Sequence, residues 1–211
     1  MSWRLASRLS VITLALLVVV FVLLLQSPQE MSQLLHSLIP GANQPVLQGT
    51  DLGGTPAPDF RLHDQFGKPI SLSQFKGKPI VLTFLYTHCT TICPLTAEKL
   101  HMVMQDLGPD AHSVAVVAVS TDPKGDTTAA ALAFSQAHRM VDYWHFLTGS
   151  QDALSPIWSA YSIYAQPQSD SSIAHSTGLY IIDKQGNERV FLDDDFSPVQ
   201  VAADLKILLS E

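Results

Sequence analysis

The sequence predicts an α/β domain with a central mixed sheet flanked by helices. Three observations predict it. The runs "KPIVLTFLY" (78–86) and "HSVAVVAVST" (112–121) are almost wholly apolar and rich in β-branched residues, as buried strands are. Between and after them, apolar residues recur at helical spacing. Strands separated by helices require crossovers, so the centre of the sheet is parallel, and a closing hairpin adds antiparallel strands.

The first element belongs to no such domain. "MSWRLASRLSVITLALLVVVFVLLLQSPQE" sets Arg4 and Arg8 before an uncharged run from Leu9 to Leu25. As a helix that run spans roughly 25 Å, close to a bilayer core. It exceeds the apolar core of about 7–15 residues usual in signal peptides, and no small-residue cleavage site follows. We expect an uncleaved signal anchor over 1–26, with a cleaved signal peptide as the rival. The two arginines hold the N-terminus in the cytoplasm and export the rest. No Arg/Ser-rich presequence precedes the run, so the expected location is a bacterial inner membrane, single-pass, with the C-terminal domain in the periplasm. Residues 27–55, rich in Gly, Pro, Ser and Gln, read as a tether.

The domain is expected over 56–211. "DFRLHDQFGKPISL" reads as two short strands about a turn at Gly67. The first buried strand follows. Leu95, Leu100, Val103, Met104 and Leu107 then form one stripe of a helix that Gly108 ends. After the second buried strand, "DTTAAALAFSQAHRM" is a helix with Asp126 as its cap. "WHFLTG" is a short strand, and "SQDALSPIWSAYSIY" a helix interrupted near Pro156. "STGLYIIDKQGNERVFLDD" is a hairpin turning at 184–187. "SPVQVAADLKILLS" closes the chain as a helix, with Ser197 as cap and Pro198 in the first helical position.

Composition narrows function. Of 211 residues 46% are apolar, too many for a disordered chain, and a net charge of −7 gives nucleic acid no basic face. Two cysteines exclude a disulfide-dense small fold. Both stand in "YTHCTTICP", as Cys89 and Cys93. Pro94 lacks an N–H and belongs in the first turn of a helix, which puts Cys93 at or near the N-terminus of that helix and Cys89 just upstream. Unpaired backbone donors there favour thiolates. If the turn is helical, the two cysteines share a face with Cα atoms about 6 Å apart, close enough for a disulfide or for one metal ion. A structural disulfide would close a loop of only three intervening residues and restrain the unfolded chain little. Three chemistries stay open on these residues: dithiol exchange, for which the three-residue spacer is one longer than usual; thiol peroxidation, supported only by Thr90 three before Cys93; and metal binding, which needs more ligands.

Histidine supplies the ligand candidates. His36 lies in the tether; His63, His101, His112 and His138 occupy surface-type positions; His145 starts a strand. His88 adjoins Cys89, so its side chain is expected to point away. A buried strand entering a cysteine turn and then a helix is a thioredoxin-like arrangement. In that fold the loop before the next antiparallel strand packs on the cysteine turn. Here that loop holds His175, in "SSIAHSTGLYIID". Two thiolates and one imidazole fall short of a closed structural zinc site, which takes four ligands, and suit copper, Cu(I) above all.

The chain resembles the Sco/SenC family of copper-binding cytochrome c oxidase assembly proteins. "YTHCTTICP", "VSTDPKGDT" (119–127), "WHFLTGS" (144–150) and "IAHSTGLYIIDKQG" (173–186) occur in family order. The resemblance implies that Cys89, Cys93 and His175 bind one copper ion, as Cu(I) or Cu(II). It implies a metallochaperone rather than an enzyme, delivering copper to the dinuclear centre of oxidase subunit II or to another copper enzyme. The alternative is a thiol–disulfide reductase acting on the oxidase cysteines through the Cys89–Cys93 pair. A copper donor and a thiol reductant are the other implied partners. Asp122, in "STDP", matches an acidic position near the family site. The chain departs from many members in having Thr90-Thr91 after the first cysteine and Ala174 before the histidine, which lowers the negative charge at the site.

Overall fold

A computed structural model describes residues 16–17, 46–168 and 172–211. The expected anchor, apart from Leu16 and Leu17, and most of the expected tether lie outside the described residues. Among the described residues no helix is long and apolar enough to cross a membrane. The chain divides into two compact units, Met1–Val46 and Leu47–Glu211, and every element below belongs to the second.

Its six-stranded sheet is built from β1 (Thr50–Pro56), β4 (Ile80–Leu85), β5 (Ala115–Ser120), β6 (Trp144–Leu147), β9 (Leu179–Ile182) and β10 (Asn187–Leu192) in the order β1-β10-β9-β4-β5-β6. β4, β5 and β6 run parallel; β9, β10 and β1 are antiparallel to their neighbours. The predicted mixed sheet is thus present. β2 (Arg61–His63) and β3 (Pro69–Ser71) form a ribbon beside it, as do β7 (Ala165–Pro167) and β8 (Ile173–His175). Four helices complete the unit: α1 (Ile92–Leu107), α2 (Thr128–Ala137), α3 (Gln151–Ala160) and α4 (Pro198–Ser210).

The apolar runs of β4 and β5 bury every residue because both faces of the sheet are covered. Alternation sorts them. Val81, Leu85, Val116 and Ala118 face a core shared with Leu100, Val103 and Met104 of α1 and Val201 and Leu205 of α4. Ile80, Leu82, Phe84, Val117 and Val119 face the other way, onto Leu154, Ile157 and Trp158 of α3 and onto Leu62 and Ile70 of the β2–β3 ribbon. Each large apolar side chain so buried contributes about 1.5–3 kcal/mol.

Several expectations need correction. The stretch read as tether ends in the sheet: β1 pairs with β10, and the Gln48 N–H donates to Asp204 of α4. Glycine and proline in "GTDLGGTP" hide this edge strand, whose pairing slips between Asp51 and Thr55. The cap of α2 is Thr127, whose hydroxyl accepts from the Ala130 N–H, and Asp126 turns elsewhere. Pro156 lies inside an unbroken α3, which Ser150 caps. Leu95, assigned to the buried stripe of α1, is exposed. The short β7–β8 ribbon was not expected at all; it carries His175 as the last residue of a strand rather than in a loop.

Candidate metal centre

β4 delivers the chain into the cysteine turn at its C-terminal end, where the sheet stops and α1 begins. Thr91 is the N-cap of α1, so Cys93 is the second helical residue and Pro94 the third. Proline costs nothing there, because the first-turn N–H groups have no partner within the helix. The Cys93 N–H instead donates to Cys89 Sγ at 3.3 Å. Cys89 is 7% exposed and Cys93 fully buried, and both are free thiols.

His175 arrives from β8. Its Nε2 stands 3.7 Å from Cys93 Sγ, across 82 positions of sequence. Its Nδ1 lies 2.8 Å from the Ser176 carbonyl oxygen, which can only accept. Nδ1 therefore donates to that carbonyl, and Nε2 is the ring nitrogen turned to the sulfurs. This is how a ligating histidine is held, with one nitrogen fixed by an acceptor and the other free for the metal. The structure thus brings Cys89, Cys93 and His175 to one place. A cleft of about 330 Å³ opens over Cys89 and His175, walled also by Tyr86, Ile92 and Ile173.

The two thiols are driven apart in acidity. Cys89 is lowered to about 3, chiefly because Cys93 donates to it, with His175 and the Cys93 and Thr91 N–H groups adding to the effect against the cost of burial. Cys93 is pushed far above the ordinary thiol value by holding that shared proton for Cys89 and by burial. One proton is shared between two sulfurs, and the anion sits on Cys89 at the cleft.

Two further residues fix the site, and the motifs did not single them out. Tyr86 is buried, takes the Ile173 N–H on its hydroxyl at 3.4 Å, and stands edge-on to the His175 ring at 5.4 Å between centroids. It ties the histidine strand to the cysteine turn. Burial raises its phenol above the usual value. Asp126, 6% exposed, accepts from the Thr87 N–H at 2.9 Å, the Thr87 hydroxyl at 2.7 Å and the Ser120 hydroxyl at 2.6 Å. It clamps the residues before Cys89 to the end of β5. Burial pushes its carboxyl upward, against those hydrogen bonds. The sequence signal for Asp126 was present in "GDTT" but was spent on a helix cap. Tyr86 gave no signal beyond ending an apolar run.

Asp122 follows β5, and its Oδ1 accepts from the Lys124 and Gly125 N–H groups. It is grouped with His88 and Asp126, not with the thiols. His88 is exposed, and its Nδ1 meets the Thr87 hydroxyl at 3.2 Å. The other histidines stand apart: His138 pairs with Glu98, His145 with Asp64, and His101 packs edge-on against Tyr143.

Comparison with known proteins adds an independent line. The model of the SCO1/SenC family matches residues 49–210. The Bacillus subtilis SCO1 protein homolog is 28% identical over 159 residues, 70% of this chain and 82% of the relative. The mouse mitochondrial SCO2 homolog is 31% identical over 137 residues, and the match spans 61% of this chain but about half of the relative, at 52%. Among solved structures, copper-bound ScoI of Bradyrhizobium japonicum superposes with a TM-score of 0.66 at 29% identity, covering 74% of this chain and 100% of that one.

Proposed function

The chain belongs to the SCO1/SenC family, and on that premise we propose that it is a copper carrier, holding one copper ion as cargo on Cys89, Cys93 and His175. One observation carries the reading: His175 Nε2 is turned to the buried sulfur of Cys93, with the other ring nitrogen tied to a carbonyl. Two soft sulfurs with an imidazole suit Cu(I), and the imidazole helps the site tolerate Cu(II). The copper-bound Bradyrhizobium relative supports the same cargo.

Three ligands leave one side of the ion open toward the cleft. An incoming thiolate or imidazole of a client can then replace the protein donors one at a time. Oxidation of Cys89 and Cys93 to a disulfide removes two of the three ligands and two electrons, so the thiol state gates loading. The client proposed from the family resemblance is the dinuclear copper centre of cytochrome c oxidase subunit II. The domain is proposed to work in the periplasm, tethered by the apolar N-terminal run, and partition with the membrane fraction after alkaline washing tests that tether. For the carrier, the reduced chain should bind one equivalent of copper, and alanine at any one of the three ligands should sharply weaken it. Undiminished binding by all three variants would refute the reading.

The asymmetry of the thiols favours a second reading, a reductase for the client's cysteines. An ionised Cys89 beside a protonated Cys93 is poised for attack on a disulfide. Client-disulfide reduction that persists in His175→Ala would support it, because exchange needs the pair alone.

A further inference from the structure

The cysteine turn also carries His88, which stands beside two aspartates of the segment after β5. We propose that His88, Asp122 and Asp126 form a second metal site there, for a divalent ion of the zinc class. One ring nitrogen of His88 and one carboxylate oxygen from each aspartate lie within 4.8 Å of one another. Donors around a tetrahedral zinc stand roughly 3.3–3.6 Å apart, given bonds of about 2.0–2.2 Å. Closing on an ion therefore asks for shifts of about an ångström, and His88 and Asp122, exposed and half-exposed, can make them. Asp126 is held in place, with Oδ2 accepting one hydrogen bond and keeping a lone pair free.

Charge gives an argument independent of the clustering. Asp126 is buried and Asp122 lies close enough to disfavour its charge. Among the described residues, the ion pairs formed by Lys, Arg and His go to other acids, and none reaches either carboxylate. Hydrogen bonds satisfy the oxygens of Asp126 without neutralising them. A buried carboxylate beside a second one, with no cation, is a costly arrangement that a dication relieves. Space is kept as well. Asp122 Oδ2 has no hydrogen-bond partner among the described residues, and a Cβ at position 125 would collide with it and stand 3.1 Å from His88 Nδ1. Glycine at that position keeps the gap between oxygen and nitrogen open.

The donor set decides the ion. One imidazole with two carboxylates is harder than two thiolates with an imidazole, and selects Zn²⁺ or Cu²⁺ over Cu⁺. Two neighbouring sites on one turn would then sort ions by softness. The inference does not depend on copper occupying the sulfur site.

Zn²⁺ alone, which cannot oxidise the thiols, is the probe, titrated into the full reduced chain by calorimetry. The unmodified chain should take one equivalent that His88→Ala removes, whatever binds at the sulfurs. Asp122→Asn, which keeps the acceptor for the loop N–H groups, should weaken that equivalent at least tenfold. A Cys89→Ser/Cys93→Ser chain should keep one equivalent and lose it when His88→Ala is added. A Cys89→Ser/Cys93→Ser chain that binds no zinc, or one whose equivalent survives both His88→Ala and Asp122→Asn, overturns the proposal.

Discussion

The cysteine turn and the histidine ribbon face each other across one cleft, yet they are anchored very differently. The turn grows out of β4, all of whose residues are buried, and runs into α1. Asp126 pins it from the side through Thr87. The ribbon β7–β8 is two strands of three residues, its outer strand mostly exposed and residues 173–175 only half-buried. Its link to the turn runs through Tyr86 and the His175 ring itself. A short isolated ribbon is marginally stable on its own, so two of the three ligand candidates are fixed by the core and the third is held by local contacts. That division would suit the proposed carrier, in which the sulfurs would keep the cargo while the imidazole lifts to admit a client's donor.

The comparison can be broken first at the ligands, where the largest effects are expected. Cys93→Ala or Cys89→Ala should cost at least about 100-fold in Cu(I) affinity in a competition titration, more than the 10–100-fold typical of changes to residues around a site. His175→Ala should fall short of the cysteine variants in Cu(I) affinity and speed copper release more than uptake. If it matches them, the ribbon is no looser than the turn and the comparison fails.

Next comes the clamp. Asp126→Ala removes the acceptor for two hydroxyls, that of Ser120 buried and that of Thr87 half-buried, and for one N–H, and should cost about 2–4 kcal/mol of unfolding free energy in urea. Copper affinity should fall with it, because the turn loses its support. A neutral outcome would show that the turn is held by α1 alone.

Acidity offers a finer test. An ordinary thiol near its usual value gains about tenfold in reactivity per pH unit as it ionises. Cys89, already ionised because its folded value lies near 3, should react with iodoacetamide at a rate that changes less than about threefold between pH 5 and 8. The pair should become unreactive only as pH falls toward that value. A rate rising steadily through pH 8 would place the proton on Cys89 and reverse the assignment of the two sulfurs.

The smallest change is expected at Tyr86→Phe. The ring against His175 remains, while the Ile173 N–H loses its acceptor, worth about 1 kcal/mol. Copper release should quicken by up to about tenfold with global stability nearly unchanged. An equal loss in both would make Tyr86 a core residue rather than a link between the two halves.

The same division explains what the sequence made legible. The turn is written in local signals: an apolar β-branched run, two cysteines, then Pro94 where a helix starts, and the sheet and helices around it follow from periodicity. The ribbon is not. "AQPQSDSSIAH" has no alternation of apolar and polar residues, and its strands are set by pairing with each other and by Tyr86, which are tertiary facts. β1 was hidden for a similar reason, since "GTDLGGTP" gains its strand conformation from β10 rather than from its own residues. Asp126 was visible as a residue but not as a clamp, because Thr87 and Ser120 lie 39 and 6 positions away. His175 was singled out through the fold expectation and not by its neighbours, and the structure puts it beside Cys93.

X-ray absorption at the copper edge, on the full chain loaded with one equivalent of Cu(I), tests the central claim most directly. The account predicts a single copper with two sulfur neighbours and one imidazole nitrogen, the nitrogen contribution vanishing in His175→Ala. A spectrum that His175→Ala leaves unchanged, or copper bound without sulfur, would contradict it.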